Sequence, residues 1–505
     1  MSEPGPVRLA GVLEALPDPA TAPHVTEDPS FEDLRAFSAA MERTTDFGAP
    51  SYVSRVRSRS ADRTKNTLDD DFTESDYDLV DAALEAATDG SIDLVSVDRM
   101  VGRHPAESCH ARLFVPREYG RIALAWAKLL EPATGDDPDF VTVQLPDHDE
   151  TAIRVLVEEG VTVVLGSDYT GEAKKSFLRL FMHRAKQRGG LGLHAGSKRV
   201  RLERDGDLET VGQVFLGLSG TGKSTLTGHG FWLEGDESAA MLQDDVCALR
   251  SDGVVAGSEG RGLYIKTIGL TREEQPELYD AATHESAVLE NVAVDEDGTV
   301  DFARSEYTSN SRAVVQREYL ESADDDVDLP AIDQIFFITR NPLMPPIAAL
   351  TAEQAAAAFM LGESVQTSAG DPDAAGESIR VVGTNPFIVG SEGAEGNRFL
   401  ELISALDVET YVINTGTIGG GAVDVGVEDT VTLLTETARG TVEWETDETL
   451  GLTVPSSVPG MDVSRFDLDD AVNDVAERYA ALREERREYL AGFEDLREVI
   501  VEAAY

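Results

Sequence analysis

Short apolar runs alternate with amphipathic stretches along most of the chain. Short apolar runs with no helical period predict buried strands, and stretches with apolar residues three and four apart predict helices. The predicted strands are 92–97, 112–114, 140–144, 161–165, 211–216, 241–242, 335–338, 379–382 and 410–413. The predicted helices are 31–44, 77–87, 118–130, 174–187 and one from Lys223. This alternation indicates an α/β protein.

A chain of 505 residues is too long for one compact core, so the pattern predicts two lobes. The first spans 1–189, and the second, 190–505, begins near Gly190 and includes the apolar strand 211–216. We find neither an internal repeat nor a low-complexity linker, so a functional site is expected in the cleft between the lobes. The charged segment 467–489 predicts a helix that either docks on the protein or remains a solvated tail.

Composition excludes several classes of protein. Hydrophobic residues make up 41% of the chain, enough for substantial cores, although the formal net charge is −51. Two cysteines cannot form a disulfide framework, no apolar run is long enough to span a membrane, and the first residues lack the features of a secretory signal. We therefore expect a cytoplasmic protein without membrane segments. Its acidity disfavours nucleic-acid binding, because phosphates would be repelled.

The excess of acidic residues also indicates the ionic strength in which the protein works. Only eight of the 43 basic residues are lysines, and carboxylate repulsion is weakened by dense counterions. A surface of this kind suggests a halophilic protein from a cytosol of high ionic strength; the alternative is an ordinary acidic enzyme. The few lysines, none beyond Lys266, are candidates for specific roles.

The strongest single motif is a glycine-rich loop. Residues 217–224 fit the pattern G-x-x-x-x-G-K-[ST], with a predicted strand before and a predicted helix after. Glycines let backbone N–H groups surround phosphate oxygens, the lysine neutralises the β and γ phosphates, and the serine hydroxyl can bind Mg²⁺. The alternative is an accidental glycine-rich turn. The loop predicts nucleoside triphosphate binding by Gly217, Leu218, Ser219, Gly220, Thr221, Gly222, Lys223, Ser224 and Thr225.

An acidic pair follows at the expected distance. Asp244 and Asp245 come directly after a short apolar stretch, twenty residues beyond Ser224. An acid at the end of such a strand can hold the nucleotide's Mg²⁺ directly or through water. In a chain with 94 acidic residues a surface turn is the alternative reading, and the position after the loop favours the metal role.

Several segments in order resemble one family. The loop GLSGTGK at 217–223 is similar to that of the ATP-dependent phosphoenolpyruvate carboxykinases. So are YTGEAKK at 169–175, GLHAG at 192–196, YIKT at 264–267, LENV at 289–292, NSR at 310–312 and VINTG at 412–416. The resemblance runs from about residue 57 to about residue 462. It implies a two-lobed P-loop enzyme of this type, with substrate bound on the side of 1–189 and nucleotide by 190–505.

The resemblance also implies site residues. Lys175, His194 and Asp245 match ligands of Mn²⁺, while Ser224 and Asp244 would serve Mg²⁺. Without the family, Lys175 would be read as a phosphate contact or a surface lysine, and His194 as a structural residue. The implied substrate-binding residues are Arg59, with Arg57 as an alternative, Tyr169 and Lys175. The implied nucleotide-binding residues outside the loop are Lys266, Gln275, Arg312 and Thr430, and the implied catalytic residues are Lys175, His194, Lys223 and Arg312.

The implied reaction converts oxaloacetate and ATP to phosphoenolpyruvate, ADP and CO₂ in gluconeogenesis. The metal stabilises the enolate formed on decarboxylation, and the enolate oxygen then attacks the γ-phosphate in line. A lysine can bind the metal because a nearby dication depresses the pKa of its amine. We expect no nucleic-acid or membrane partner and favour a monomer.

The chain departs from the family at three places. The substrate loop RSRSADRT at 57–64 lacks the family's glycine and proline, Gln275 replaces a glutamate, and the arginine expected beside the adenine is absent after Gly421. Nucleotide choice and substrate are therefore open.

Two other hypotheses are a P-loop kinase on a related scaffold, which would transfer phosphate without decarboxylation, and a regulator that binds ATP without turnover.

Overall fold

The computed structural model describes residues 12, 16–58, 60–69, 71–135, 137–218, 220–365 and 378–505. The chain divides into two compact units. The first unit contains residues 1–181 and 258–321, and the second contains residues 182–257 and 322–505. Among the described residues, no helix combines the length and the apolar character that crossing a membrane requires.

Local sequence signals mark where many of the helices begin and end. Thr351 Oγ accepts a hydrogen bond from Gln354 N at 3.2 Å, and the Gln354 side chain accepts one from Thr351 N at 3.0 Å, so the helix Ala352–Leu361 begins with a capping box. Gly362, with φ +43°, ends it. The helices are α1 Phe31–Phe37, α2 Glu74–Thr88, α3 Gly120–Ala127, α4 Thr170–Gln187, α5 Lys223–Gly228, α6 Pro276–Ala282, α7 Ala352–Leu361, α8 Glu392–Leu406, α9 Val427–Arg439, α10 Leu468–Ala471, α11 Val475–Leu490 and α12 Glu498–Glu502.

The strands alternate with these helices and form several sheets. In chain order they are β1 Val25–Glu27, β2 Arg43–Thr44, β3 Pro50–Tyr52, β4 Thr64–Asn66, β5 Leu94–Val101, β6 Cys109–Pro116, β7 Glu131–Pro132, β8 Phe140–Leu145, β9 Ala152–Leu156, β10 Val161–Leu165, β11 Leu191–Leu193, β12 Ala195–Arg204, β13 Asp207–Leu216, β14 Ser238–Gln243, β15 Cys247–Leu249, β16 Val255–Gly257, β17 Gly262–Lys266, β18 Val288–Glu290, β19 Ala293–Val294, β20 Val300–Asp301, β21 Arg312–Gln316, β22 Gln334–Thr339, β23 Ile347–Leu350, β24 Glu363–Val365, β25 Ser378–Arg380, β26 Glu409–Asn414, β27 Thr417–Ile418, β28 Val423–Asp424, β29 Glu443–Asp447 and β30 Leu452–Ser457.

The first unit contains two larger sheets. One has the strand order β1-β5-β6-β8-β10-β9-β4, with β7 beside β5, and the helix α2 packs its buried Val80 and Leu84 against this sheet's apolar core. The other has the order β17-β21-β18-β3-β2. Leu289 of β18 lies in parallel register with Ser51 of β3. This pairing attaches residues 258–321 to the N-terminal part of the chain.

The second unit is built on a sheet of order β14-β12-β13-β22-β26-β23-β30-β29. Strands β13, β22 and β26 are parallel, with β22 in the middle. Ile335 and Phe337 pack into one apolar core, while Phe336 and Ile338 pack into another on the opposite face. A strand buried on both faces reads as a continuous apolar run, which explains why sequence patterning located it.

The predicted mixture of helices and strands is confirmed, and several predicted elements differ in extent. The helix predicted for 31–44 ends at Phe37, because Arg43 pairs with Ser51 in a β-hairpin. The segment 467–489 contains two helices, α10 and α11, separated by Asp474 at φ +56°. Val475, Tyr479 and Leu490 of α11 belong to the apolar core, so this segment is docked and is not a solvated tail.

The predicted domains 1–189 and 190–505 are each continuous and stay a prediction, and the two compact units each consist of two chain segments. Residues 258–321 fall in the first unit, because their strands pair with β3. The predicted assignment of substrate to one domain and nucleotide to the other stays a prediction.

Candidate active site

The glycine-rich loop links two elements of the second unit. Strand β13 ends at Leu216 and helix α5 begins at Lys223, as the sequence predicts. A Cβ at Gly217 would lie 2.6 Å from Thr221 Oγ, and Gly222 has φ +101°, so both positions require glycine. Thr415 Oγ donates to Thr221 O at 2.7 Å and attaches the loop to the segment after β26. Ser219 lies outside the described residues.

Two charged groups near this loop have polar atoms without partners. Lys223 Nζ and Asp244 Oδ1 are buried, and neither has a hydrogen-bond partner among the described residues. The charge of Lys223 also acts on Cys247, opposing the burial that raises the pKa of that thiol to about 12. A buried cation and a buried carboxylate oxygen of this kind need counter-ligands. Phosphate oxygens and a divalent cation are ligands of the required type.

The remaining predicted nucleotide residues of the second unit differ in accessibility. Ser224 and Thr225 are exposed, so their hydroxyls can reach a ligand. Thr430 is buried in α9, and its hydroxyl donates to Gly426 O at 2.9 Å. Its side chain thus fixes the first turn of that helix.

His194 and Asp245 are brought together in the second unit. Leu193 of β11 lies opposite Cys247 of β15, which brings His194, the residue after Leu193, close to Asp245, two residues before Cys247. The Nε2 atom of His194 lies 3.0 Å from Asp245 Oδ1, and its Nδ1 atom lies 2.6 Å from Thr384 O.

The hydrogen bond of Nδ1 selects the tautomer of His194. A carbonyl oxygen can only accept, so Nδ1 donates in this contact. Nε2 donates to Asp245 when the ring is charged, and in a neutral ring it presents its lone pair to the carboxylate. Two potential ligand atoms facing each other are suited to sharing a cation, and a backbone carbonyl on the other nitrogen is the usual support for a metal-bound histidine.

Lys175, the third predicted metal ligand, lies on α4 in the first unit. The described ranges contain no group of three or more His, Cys, Asp or Glu side chains placed to hold a metal ion. The predicted set of Lys175, His194 and Asp245 includes only two residues of those types. Its convergence on one cation stays a prediction.

A buried network fixes the start of α4. Glu290 Oε1 accepts from both the backbone N and the hydroxyl of Thr170 at 3.0 Å. Arg121 bridges Glu290 and Asp168, at 3.3 and 2.9 Å. All three charged side chains are at most 5% exposed. The network therefore holds Tyr169 and the helix that carries Lys175 in a defined position.

Asn310 connects several predicted substrate residues of the first unit. Its side-chain amide donates to the Tyr169 hydroxyl and to Arg57 O, both at 3.1 Å, and its Oδ1 accepts from Arg312 Nη2 at 2.8 Å. The Arg57 guanidinium donates to Tyr307 O at 2.5 Å and to Ser54 O at 3.2 Å. Arg57 therefore shapes its own loop. Arg59 lies outside the described residues.

Two predicted nucleotide residues face each other across a strand pair. Lys266 of β17 lies opposite Arg312 of β21. Burial, and then the charge of Arg312, lower the pKa of Lys266. Two cations in this position repel each other, so a bound anion would stabilise the arrangement. Gln275 is half-buried and precedes Pro276 at the start of α6.

Sequence reasoning assigned no role to three residues that organise this unit. Asn310 joins Tyr169 to Arg312, Glu290 anchors α4, and the Tyr264 hydroxyl donates to Glu290 Oε2 at 2.5 Å. The Arg312 guanidinium carbon lies 5.5 Å from the Tyr264 ring centre. Each residue belongs to a segment that resembles the family, which was the available signal.

Comparison with known proteins agrees with these segments. The family model described as phosphoenolpyruvate carboxykinase matches residues 52–464. Phosphoenolpyruvate carboxykinase (ATP) of Aeropyrum pernix is 36% identical over 469 residues, which cover 90% of this chain and 92% of that protein. The protein of the same name from Azorhizobium caulinodans is 30% identical over 405 residues, covering 75% and 72% of the two chains. The chain belongs to the ATP-dependent phosphoenolpyruvate carboxykinase family.

Proposed function

We propose that this protein is a phosphoenolpyruvate carboxykinase that converts oxaloacetate and ATP to phosphoenolpyruvate, ADP and CO₂ in gluconeogenesis. The similarity to the Aeropyrum pernix enzyme over 90% of the chain supports the activity. Family membership implies the family's fold. The observation that carries the site assignment is the contact between His194 Nε2 and Asp245 Oδ1, next to the buried Asp244 oxygen that has no partner among the described residues.

The second unit supplies the groups for the nucleotide phosphates. Lys223 offers a buried ammonium group, and the glycines of 217–222 let the backbone approach a phosphate closely. Ser224 and Asp244 would hold Mg²⁺, and Lys175, His194 and Asp245 would hold Mn²⁺. When bound, these ions stabilise negative charge on the enolate and phosphate oxygens as Lewis acids.

The first unit supplies the groups for oxaloacetate and for the transferred phosphoryl group. Lys266 and Arg312 together place two positive charges across one strand pair, suited to the equatorial oxygens of the γ-phosphate. We assign the substrate carboxylate to Arg59, because Arg57 donates to two backbone carbonyls. Tyr169 would lie beside the substrate, positioned by Asn310.

The setting of the enzyme belongs to the same proposal. We infer a monomer in a cytoplasm of high salt, supported by the net charge of −51 and by eight lysines among 43 basic residues. Activity should therefore rise with salt concentration, as screening relieves repulsion among the carboxylates. Activity that falls steadily from low to high salt would favour an ordinary acidic enzyme.

The test is a coupled assay in high salt with Mg²⁺ and Mn²⁺, run in both directions. We expect ADP-dependent and CO₂-dependent consumption of phosphoenolpyruvate. Folded protein with no turnover in either direction contradicts the proposal. ATP binding without turnover would indicate a regulator, and phosphate transfer without decarboxylation would indicate a kinase.

Two variants test the residue roles. Lys223→Ala should abolish phosphoryl transfer while the fold is retained, because the loop geometry depends on its backbone. His194→Ala should weaken Mn²⁺ binding and slow decarboxylation, whereas His148→Ala, at an exposed histidine, should change neither. Full activity and unchanged Mn²⁺ affinity in His194→Ala would show that the metal assignment is wrong.

A further inference from the structure

Arg340 stands at the edge of the sheet from which the glycine-rich loop emerges. It is the first residue after β22, the middle strand of the parallel set β13-β22-β26. Leu216 is in register with Phe337, and Thr339 with Asn414, so the carboxyl ends of the three strands meet at one edge. Ligands of open α/β sheets bind outside this end of the strands.

Local packing places Arg340 close to the segments that form this edge. A Cβ at Gly416 would lie 3.1 Å from Arg340 Cβ, so the arginine packs against the turn that follows β26. In the same turn, Thr415 contacts Thr221 of the glycine-rich loop. A Cβ at Gly217 would lie 3.1 Å from Ile338 Cβ, two residues before the arginine. The backbone of Arg340 therefore lies beside the predicted phosphate site.

The guanidinium of Arg340 lacks a protein counter-ion in the ranges that the structure describes. Its Nε atom is buried without a hydrogen-bond partner there, and burial lowers its pKa. In a chain with 94 acidic residues this is unusual: Arg380 and Arg486 of the same unit both pair with Glu363. The neighbouring Asn341 already donates to Glu363, at 2.7 Å.

We propose that Arg340 binds the phosphate chain of the nucleotide, as a second cation beside Lys223. A guanidinium can donate two parallel hydrogen bonds to phosphate oxygens, which a lysine cannot do. Arg340 would thus determine the affinity for the charged part of ATP, with no contact to adenosine. The inference rests on the proposed function only in that ATP is the nucleotide.

The test compares the binding of ATP and of adenosine, by titration calorimetry of the full-length chain in high salt. Arg340→Gln should weaken ATP binding about 10- to 100-fold, the range expected for lost hydrogen bonds to a charged group. The affinity of Arg340→Gln for adenosine should stay within about twofold of that of the unaltered protein. Arg340→Lys should recover part of the ATP affinity, because it restores the charge but not the planar fork.

Arg201→Gln is the matched control. Arg201 is exposed and lies opposite Thr210, six residues before Leu216, so it sits about 20 Å along the sheet from the loop. Its removal changes the net charge equally and should leave ATP affinity unchanged.

The outcomes separate this inference from the proposed function. If the unaltered protein does not bind ATP, the proposed function fails. The proposed role of Arg340 is wrong if the unaltered protein binds and turns over ATP but Arg340→Gln binds ATP equally well. It is also wrong if Arg340→Gln loses affinity for ATP and for adenosine to the same degree. If Arg340→Gln does not fold, Arg340→Lys is used for the test. We then expect a several-fold loss of affinity for ATP and no loss of affinity for adenosine.

Discussion

Replacing Asp168 by Asn should destabilise the first unit, because both carboxylate oxygens of Asp168 act as acceptors. Oδ1 accepts from Arg55 N at 2.9 Å and from Val56 N at 3.0 Å, and Oδ2 accepts from Arg121 Nη2 at 2.9 Å. The amide nitrogen of asparagine would face a donor in either orientation. The isosteric change thus converts hydrogen bonds into repulsive contacts.

The magnitude follows from burial. Asp168 and Arg121 have side chains that are 5% and 2% exposed, and breaking a buried pair on one side costs about 3–5 kcal/mol. Arg121 keeps its contact with Glu290 at 3.3 Å, so we expect about 3 kcal/mol. In a unit of this size that corresponds to a midpoint of thermal unfolding lower by roughly 6–12 °C.

Asp147→Asn is a matched control for this prediction. Asp147 binds the same Arg55, at 2.9 Å, but both side chains are more than half exposed. Such a pair contributes about 0–1 kcal/mol. We would measure thermal and urea unfolding of both variants in the same high-salt buffer, together with the KM for oxaloacetate. Because Asp168 anchors the predicted substrate loop, its variant should also raise that KM.

Equal, small shifts in the unfolding midpoints of the two variants would show that burial of Asp168 does not determine the loss of stability. A change below about 1 kcal/mol for Asp168→Asn would mean that the buried hydrogen bonds are replaced by solvent or by relaxation of the loop.

Two further predictions concern pH. Glu363 accepts from Arg380, Arg486 and Asn341, and these contacts lower its pKa from 4.5 to about 2 despite burial. Its contribution, roughly 3 kcal/mol, is complete above pH 4.5 and is lost as the pH falls towards 2, so Glu363→Gln should flatten the acid-unfolding curve in that window. Lys198 is fully buried, donates to Leu226 O at 2.6 Å and to His229 O, and burial lowers its pKa well below 10.5. Between the two pKa values Lys198 is protonated in the unfolded chain and neutral in the folded one, so the free energy of unfolding should rise with pH up to about 10.5. Lys198→Met should remove this rise. If urea unfolding showed the same pH dependence for Lys198→Met and the unaltered protein, the prediction would be wrong.

The candidate site was predictable where residue types alone impose the chemistry. The loop at 217–224 needs glycine at Gly217 and Gly222 for reasons of space and φ, and these requirements are visible as letters. The contact between His194 and Asp245 joins residues 51 positions apart, and only the pairing of β11 with β15 creates it. Motif resemblance pointed to both residues without supplying their geometry.

The buried strands and the glycine-rich loop could be predicted from local sequence, because an apolar run and a left-handed glycine are local constraints. The end of α1, the break in segment 467–489 and the unit that holds 258–321 depend on tertiary contacts. The tertiary structure also leaves Arg340 at the strand edge without a counter-ion among the described residues. These features depend on partners far away in the chain, and no local pattern encodes which distant strand or carboxylate will be the neighbour.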